Sequence, residues 1–355
     1  MNRFTAWNET IPPFDADAAD RAKARWDGIA KPLNGLGMLE TAVIQIAGVT
    51  GSERVSIAKR AVAVLCADNG IVEEGVTQTD ASVTAEMAGR IASHRSSVSL
   101  MAKTAHADVF AADFGMLTPA KGVWDYAVSS GTANMTKGPA MTEQQALRAI
   151  ENGVALADRL CEKGYRILVT GEMGIGNTST SSAVASVLLN LPVDAVTGRG
   201  AGLSDAGLNR KRDAIRRAIE VNQPDPCDAF DVLRKVGGFD LAGLAGLYIG
   251  AAKNRVPILI DGLPSSVAAL VAARLVPNAR IAMFASHCSA EPVAKAILDA
   301  LELSPLLYAN LKLGEGTGAV CMLPLLDMAL AVYDGSVTFR ETGISQYVPQ
   351  EGDPR

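Results

Sequence analysis

With 355 residues, 48% of them hydrophobic and 20% charged, the chain is long enough to bury a large core and too apolar to remain disordered. A net charge of -5 with dispersed basic residues argues against nucleic acid or an anionic membrane as partner, and the polar opening MNRFTAWNETIPPFDADAAD is no signal peptide. Five widely spaced cysteines without a CxxC fit reduced thiols in a cytoplasmic protein, and every apolar run of membrane-span length is broken by Gly, Pro or charge.

Residues 1–60 read as polar helices punctuated by Pro12, Pro13 and Pro32. Beyond them, β-rich runs alternate with alanine-rich helical stretches, the pattern of βα units on a parallel sheet. RAVAVLCADNG delivers Asp68 and Asn69 at its end, ADVFAADFG delivers Asp113, and RILVTGEMGIGNTS delivers Glu172. VPILIDG ends on Asp261, and ARIAMFASHCSAEP on Ser286 and His287. Polar groups at the C-terminal ends of parallel strands stand where open α/β sheets bind ligands. VNQPDPCD, residues 221–228, is the clearest internal loop, and the last thirty or so residues form a strand-poor tail.

Three glycine clusters invite a chemical reading. In TGEMGIGNTSTSS, from Thr170, bare amides precede a helix start, so an anion fits there as well as a plain strand-to-helix turn does. The stretch is neither GxGxxG nor a P-loop. TGRGAGLSDAGLNRKRDAI, from Thr197, brings in Arg210, Lys211, Arg212 and, just past its end, Arg216, a phosphate cradle or simply a solvated basic face. In GGFDLAGLAGLYIGAA, Gly243, Gly246 and Gly250 are explained by close helix packing. LKLGEGTGAV sets Glu315 between glycines at the mouth of an apolar stretch, which suits a surface turn or a carboxylate made more basic by burial. His94, His106 and His287 are too dispersed to form a metal site.

In chain order, KPLNGLGMLE, ADNGIVEEGVT, GPAMTEQQALRAIENG, GEMGIGNTSTSSA, GRGAGLSDAGLNRK, GGFDLAGLAGLYIGAA, PILIDGLPSSVAAL, ASHCSAEP and LGEGTGA closely resemble the nicotinate mononucleotide:dimethylbenzimidazole phosphoribosyltransferases, from Lys31 to about Ala319. The resemblance implies an α/β fold with a Rossmann-like, mostly parallel sheet flanked by helices. It also implies a small helical domain from residues 1–30 and 328–355 and a catalytic domain of residues 31–327. It implies transfer of phosphoribose from nicotinate mononucleotide to an aromatic acceptor, with Glu315 taking the acceptor's proton. Glu172, Gly174, Gly176, Asn177, Gly202 and Lys211 are then expected around phosphate and ribose, and Thr79, Met87 and Leu313 around the acceptor. No metal and no cofactor are implied; the expected assembly is a homodimer or a heterodimer with a paralogous subunit.

Several positions depart from the family's usual pattern. Asn34-Gly35 stands for Gly-Ser in KPxGSLG, Asn69 for the histidine of GDHG, and Ala133 for the arginine of GTRN. Thr79 aligns with a serine and Met87 with a glutamine that addresses the acceptor. Methionine there favours a less polar ring, so a phenol stands beside dimethylbenzimidazole as expected acceptor. The changes at Asn69 and Ala133 keep open the alternative of a subunit that only supports a paralogous partner.

Overall fold

The computed structural model describes residues 3–350. α1 (Arg3–Thr10), α2 (Ala16–Gly28) and α3 (Met38–Thr50) come first, and Asp15 starts α2 by accepting from the Ala18 amide. β1 (Arg60–Ala67), α4 (Ser82–Ala92), α5 (Ser97–Thr104), β2 (Ala107–Gly115) and β3 (Trp124–Asp125) follow. Next is α6 (Glu143–Glu162), opened by a capping box between Thr142 and Gln145. β4 (Ile167–Met173) leads to α7 (Asn177–Leu189), α8 (Val193–Val196), α9 (Asp205–Asn222), α10 (Ala229–Val236) and α11 (Phe239–Lys253). β5 (Ile258–Ile260), α12 (Leu263–Leu275), β6 (Met283–Ala285), α13 (Ala294–Ala300), α14 (Thr317–Val320), α15 (Met322–Gly335) and α16 (Phe339–Thr342) complete the chain.

The six strands form one sheet in the order β3-β2-β1-β4-β5-β6, every neighbouring pair parallel. β1 is buried along its whole length, as its continuous apolar run requires when helices cover both faces. Strand order reverses between β1 and β4, so the crevice beyond their C-terminal ends is the place for a ligand. All five strands read from the sequence form, and the α/β, Rossmann-like expectation holds. β3 was not expected; only two residues long, it is held by pairing to Ala112 and Asp113.

α6 and α11 pack with backbones nearly touching. A Cβ on Gly153 would lie 2.0 Å from the Gly243 carbonyl, and one on Gly246 2.0 Å from the Ile150 carbonyl. At the chain ends, Trp26 of α2 packs on Tyr333 of α15 with ring centroids 5.0 Å apart, and Ile29 pairs with Thr338. Among the described residues one stretch, Thr317–Gly335, has the length and apolarity of a membrane span. It carries Asp327, ion-paired to the buried Arg60 at the start of β1, and it buries Leu323, Leu326 and Tyr333 in the fold.

Candidate active site

Of the polar strand ends, Glu172, Asp261 and His287 line a cleft of about 250 Å3, while Asp68, Asn69, Asp113 and Ser286 are not among its lining residues. Its walls come from residues 76–79, the turn after β4, the 199–203 loop, the ends of β5 and β6, and residues 311–315. Gly174 and Gly176 shape the β4–α7 turn: a Cβ on Gly174 would come 2.5 Å from the Ala67 carbonyl, and Gly176 has φ +95. The first residues of α7, Asn177 and Thr178, line the cleft, and a helix start favours an anion. Beside them lies Lys211, almost wholly buried, whose Nζ donates to Thr178 Oγ1 at 2.8 Å and to the Gly198 carbonyl at 3.2 Å. Burial lowers its pKa to about 8 against the opposing pull of Glu291, leaving a cation at neutral pH. The other cations of the α9 run face away: Arg210 donates to the Gly75 carbonyl, while Arg212 and Arg216 pair with Asp194.

Glu315 has φ +60 between Gly314 at +88 and Gly316 at +95. Its Oε2 accepts from the Val98 amide at 3.2 Å, in the first turn of α5. Burial raises its pKa, the Val98 amide and the Ser96 hydroxyl lower it, and the charge of Asp261 raises it again. The result is a carboxylate held in place and more basic than a solvated one.

Behind the glycine turn, Glu172 accepts from Asn177 Nδ2, and burial followed by the charge of Asp240 pushes its pKa up to about 8. Asp240, wholly buried, is raised to about 6 by burial. Asn69, in the place of the family's histidine, lies against the same turn, 3.2 Å from a Cβ placed on Gly174. Ala133 is exposed and stands outside the cleft.

Thr79, Glu172, Gly174, Gly176, Asn177, Lys211, Leu313 and Glu315 all line this one cleft. Gly202 belongs to the adjoining loop, where its carbonyl accepts from Gln78, but Gly200, Ala201 and Leu203 do the lining. Met87 is half-buried on α4 and is not among the lining residues. Asp261, His287, Ser289, Glu291 and Arg199 line the cleft without having been assigned to the site from sequence. Asp261 and His287 were legible as strand-end polar groups; the others carry no local signal. Among the described residues no group of three His, Cys, Asp or Glu side chains is placed to hold a metal ion.

A family model described as "Phosphoribosyltransferase" matches residues 11–344. The nicotinate-nucleotide–dimethylbenzimidazole phosphoribosyltransferase of Acetivibrio thermocellus is 44% identical over 344 residues, covering 96% of this chain and 98% of its own. The enzyme of that name from Ruminiclostridium cellulolyticum is 42% identical over the same shares. The crystal structure of CobT from Thermus thermophilus superposes with a TM-score of 0.87 at 37% identity, covering 93% of this chain and 100% of that one.

Proposed function

The chain belongs to this phosphoribosyltransferase family, and from its site we infer that it transfers phosphoribose from nicotinate mononucleotide to a ring nitrogen of dimethylbenzimidazole, releasing nicotinate. The reading rests on one observation above the others: a buried cation beside a helix start and a half-desolvated carboxylate face the same cleft.

In this reading Lys211 and the first turn of α7 hold the donor's phosphate, and Gly174, Gly176, Asn177 and the Gly202 loop enclose phosphate and ribose. Leu313 and Thr79 border the acceptor. The acceptor nitrogen attacks C1′ as the bond from C1′ to the pyridinium nitrogen breaks; those electrons neutralise the pyridinium, so the leaving group needs no acid. Glu315 takes the proton the azole loses. Attack opposite the departing nicotinate turns the β-linkage into an α-ribotide, the form used in a cobamide lower ligand. Relatives named for this transfer favour it over a purely supporting subunit. Met87 lies off the cleft lining, so the argument for a phenol acceptor loses its residue. A two-chain assembly, of identical or paralogous subunits, belongs to the same proposal.

The test is Glu315→Gln, which keeps shape and removes basicity. Nicotinate release and ribotide formation fall by about 10²-fold or more, the range for a lost general base, while nicotinate mononucleotide binds with unchanged affinity by calorimetry. Wild-type turnover in this variant removes Glu315 from the reaction.

A further inference from the structure

Asp261 follows the end of β5 and is almost wholly buried in the cleft wall. Both of its carboxylate oxygens are taken by the chain that carries Glu315: Oδ2 accepts from the Gly316 amide at 3.1 Å and Oδ1 from the Ala319 amide at 3.0 Å. Resting on the reading of Glu315 as the base, we propose that Asp261 is the positioning residue that fixes the Glu315 peptide for proton transfer.

The turn needs such a tie. Glu315 and its two glycine neighbours all have positive φ, and for a residue with a side chain that conformation persists only where the surroundings impose it. The Gly316 amide belongs to the peptide bond that follows Glu315, so the bond from Asp261 grips the base's own backbone. On the opposite side the peptide leans on β4, where a Cβ on Gly171 would meet the Glu315 carbonyl at 2.4 Å. Thr170 of β4 keeps the two grips in register: its hydroxyl donates to the Leu259 carbonyl at 2.9 Å and accepts from the Asp261 amide at 3.2 Å. With the side-chain tip tied to Val98, the base is held at three points.

Charge adds a second handle. The Glu315 carboxylate interacts with Asp261 from β5, Glu172 from β4 and the first turn of α5; His287 beyond β6 and the exposed Lys312 of its own loop line the same cleft, and Cys321 after α14 lies within the field of Asp261. Among these, Asp261 is the side-chain charge that raises Glu315. Removing that charge makes Glu315 a weaker base, which moves the acid limb of the kcat profile to lower pH.

Two variants separate place from charge. Asp261→Asn keeps the shape, loses one amide bond and removes the charge; Asp261→Glu keeps the charge and displaces it by a methylene. Turnover is measured per active site, with sites counted by nicotinate mononucleotide binding, so a partly folded preparation still reports. Both variants are expected to lose kcat on the order of 10²-fold, as for a misplaced catalytic group, with donor KM nearly unchanged. The acid limb moves down in Asp261→Asn and stays in Asp261→Glu. A merely structural role lowers the melting temperature and the number of sites but leaves per-site kcat and the limb unmoved, and that outcome overturns the proposal. Glu315→Gln runs in parallel. If it turns over normally, the base assignment itself falls; if it is dead while Asp261→Asn matches wild type, only the positioning role falls.

Discussion

At the scale of single residues, Lys211 shows how burial sorts a charge run. Five cations lie along α9, and only Lys211 turns inward, because its helical position faces Thr178 and the Gly198 loop while its neighbours find Gly75, Glu74 and Asp194 at the surface. Lys211→Ala is expected to weaken nicotinate mononucleotide binding by about 1–3 kcal/mol, the range for a charge-assisted hydrogen bond, with acceptor binding unchanged. The pH dependence follows from the same burial. The lysine of the free enzyme titrates at about 8, and a bound phosphate favours its charged form, so donor affinity falls as pH rises through about 8. Calorimetry across that range checks both effects, and Lys211→Ala should flatten the profile. The sequence alone left this lysine in a solvated face or a phosphate cradle, since helical phase cannot be fixed without knowing what α9 packs against. The structure buries Lys211 and so rules out the solvated face, while its contact with phosphate is for these experiments to test.

At the scale of elements, the parallel strands were legible because a sheet covered on both faces demands unbroken apolar runs, as in RAVAVLCA. β3 was not, because it owes its two residues of pairing to β2 rather than to its own composition. The glycines of α11 were read correctly as packing residues, yet their partner Gly153 lies in α6, far away in sequence, and no local pattern links the two. That contact makes a sharp prediction. Gly246→Ala would place a methyl 2.0 Å from the Ile150 carbonyl, a backbone atom with no rotamer to yield, so the helices must separate. A loss of about 1–3 kcal/mol is expected from such overpacking, read as a lower urea midpoint. Gly138→Ala, with no atom within 4 Å of the new methyl, is the control and should shift the midpoint little.

At the scale of the whole molecule, the cleft is closed by segments near residues 76–79, 199–203 and 311–315, brought together only by the sheet's order, which is why sequence pattern alone could not assemble it. The assembled site holds groups that its own burial disfavours as ions, and global stability should register them. Glu172 is raised to about 8 by burial and by Asp240. A carboxyl whose folded pKa lies above its unfolded value, about 4.3, stabilises fully below that lower value, and the contribution is lost as pH climbs through the folded one. Lys211 acts in the opposite sense: its folded pKa, about 8, lies below the unfolded value, so stability returns as pH rises beyond it. Together they set a trough in unfolding free energy near pH 8 in the free enzyme. Urea midpoints measured across pH should fall toward that point and then recover. Glu172→Gln should erase the falling limb between about pH 6 and 8, because an uncharged amide takes the place of the buried acid, and leave the part below about pH 6 that Asp240 contributes. Nicotinate mononucleotide at saturation should raise the midpoint most at and below about pH 8 and flatten the recovery above it, because it binds the charged form of Lys211. A midpoint that rises steadily from pH 5 to 8 in the wild-type chain would show that Glu172 is ionised at little cost, and with it that the site is far more open to water than its burial indicates.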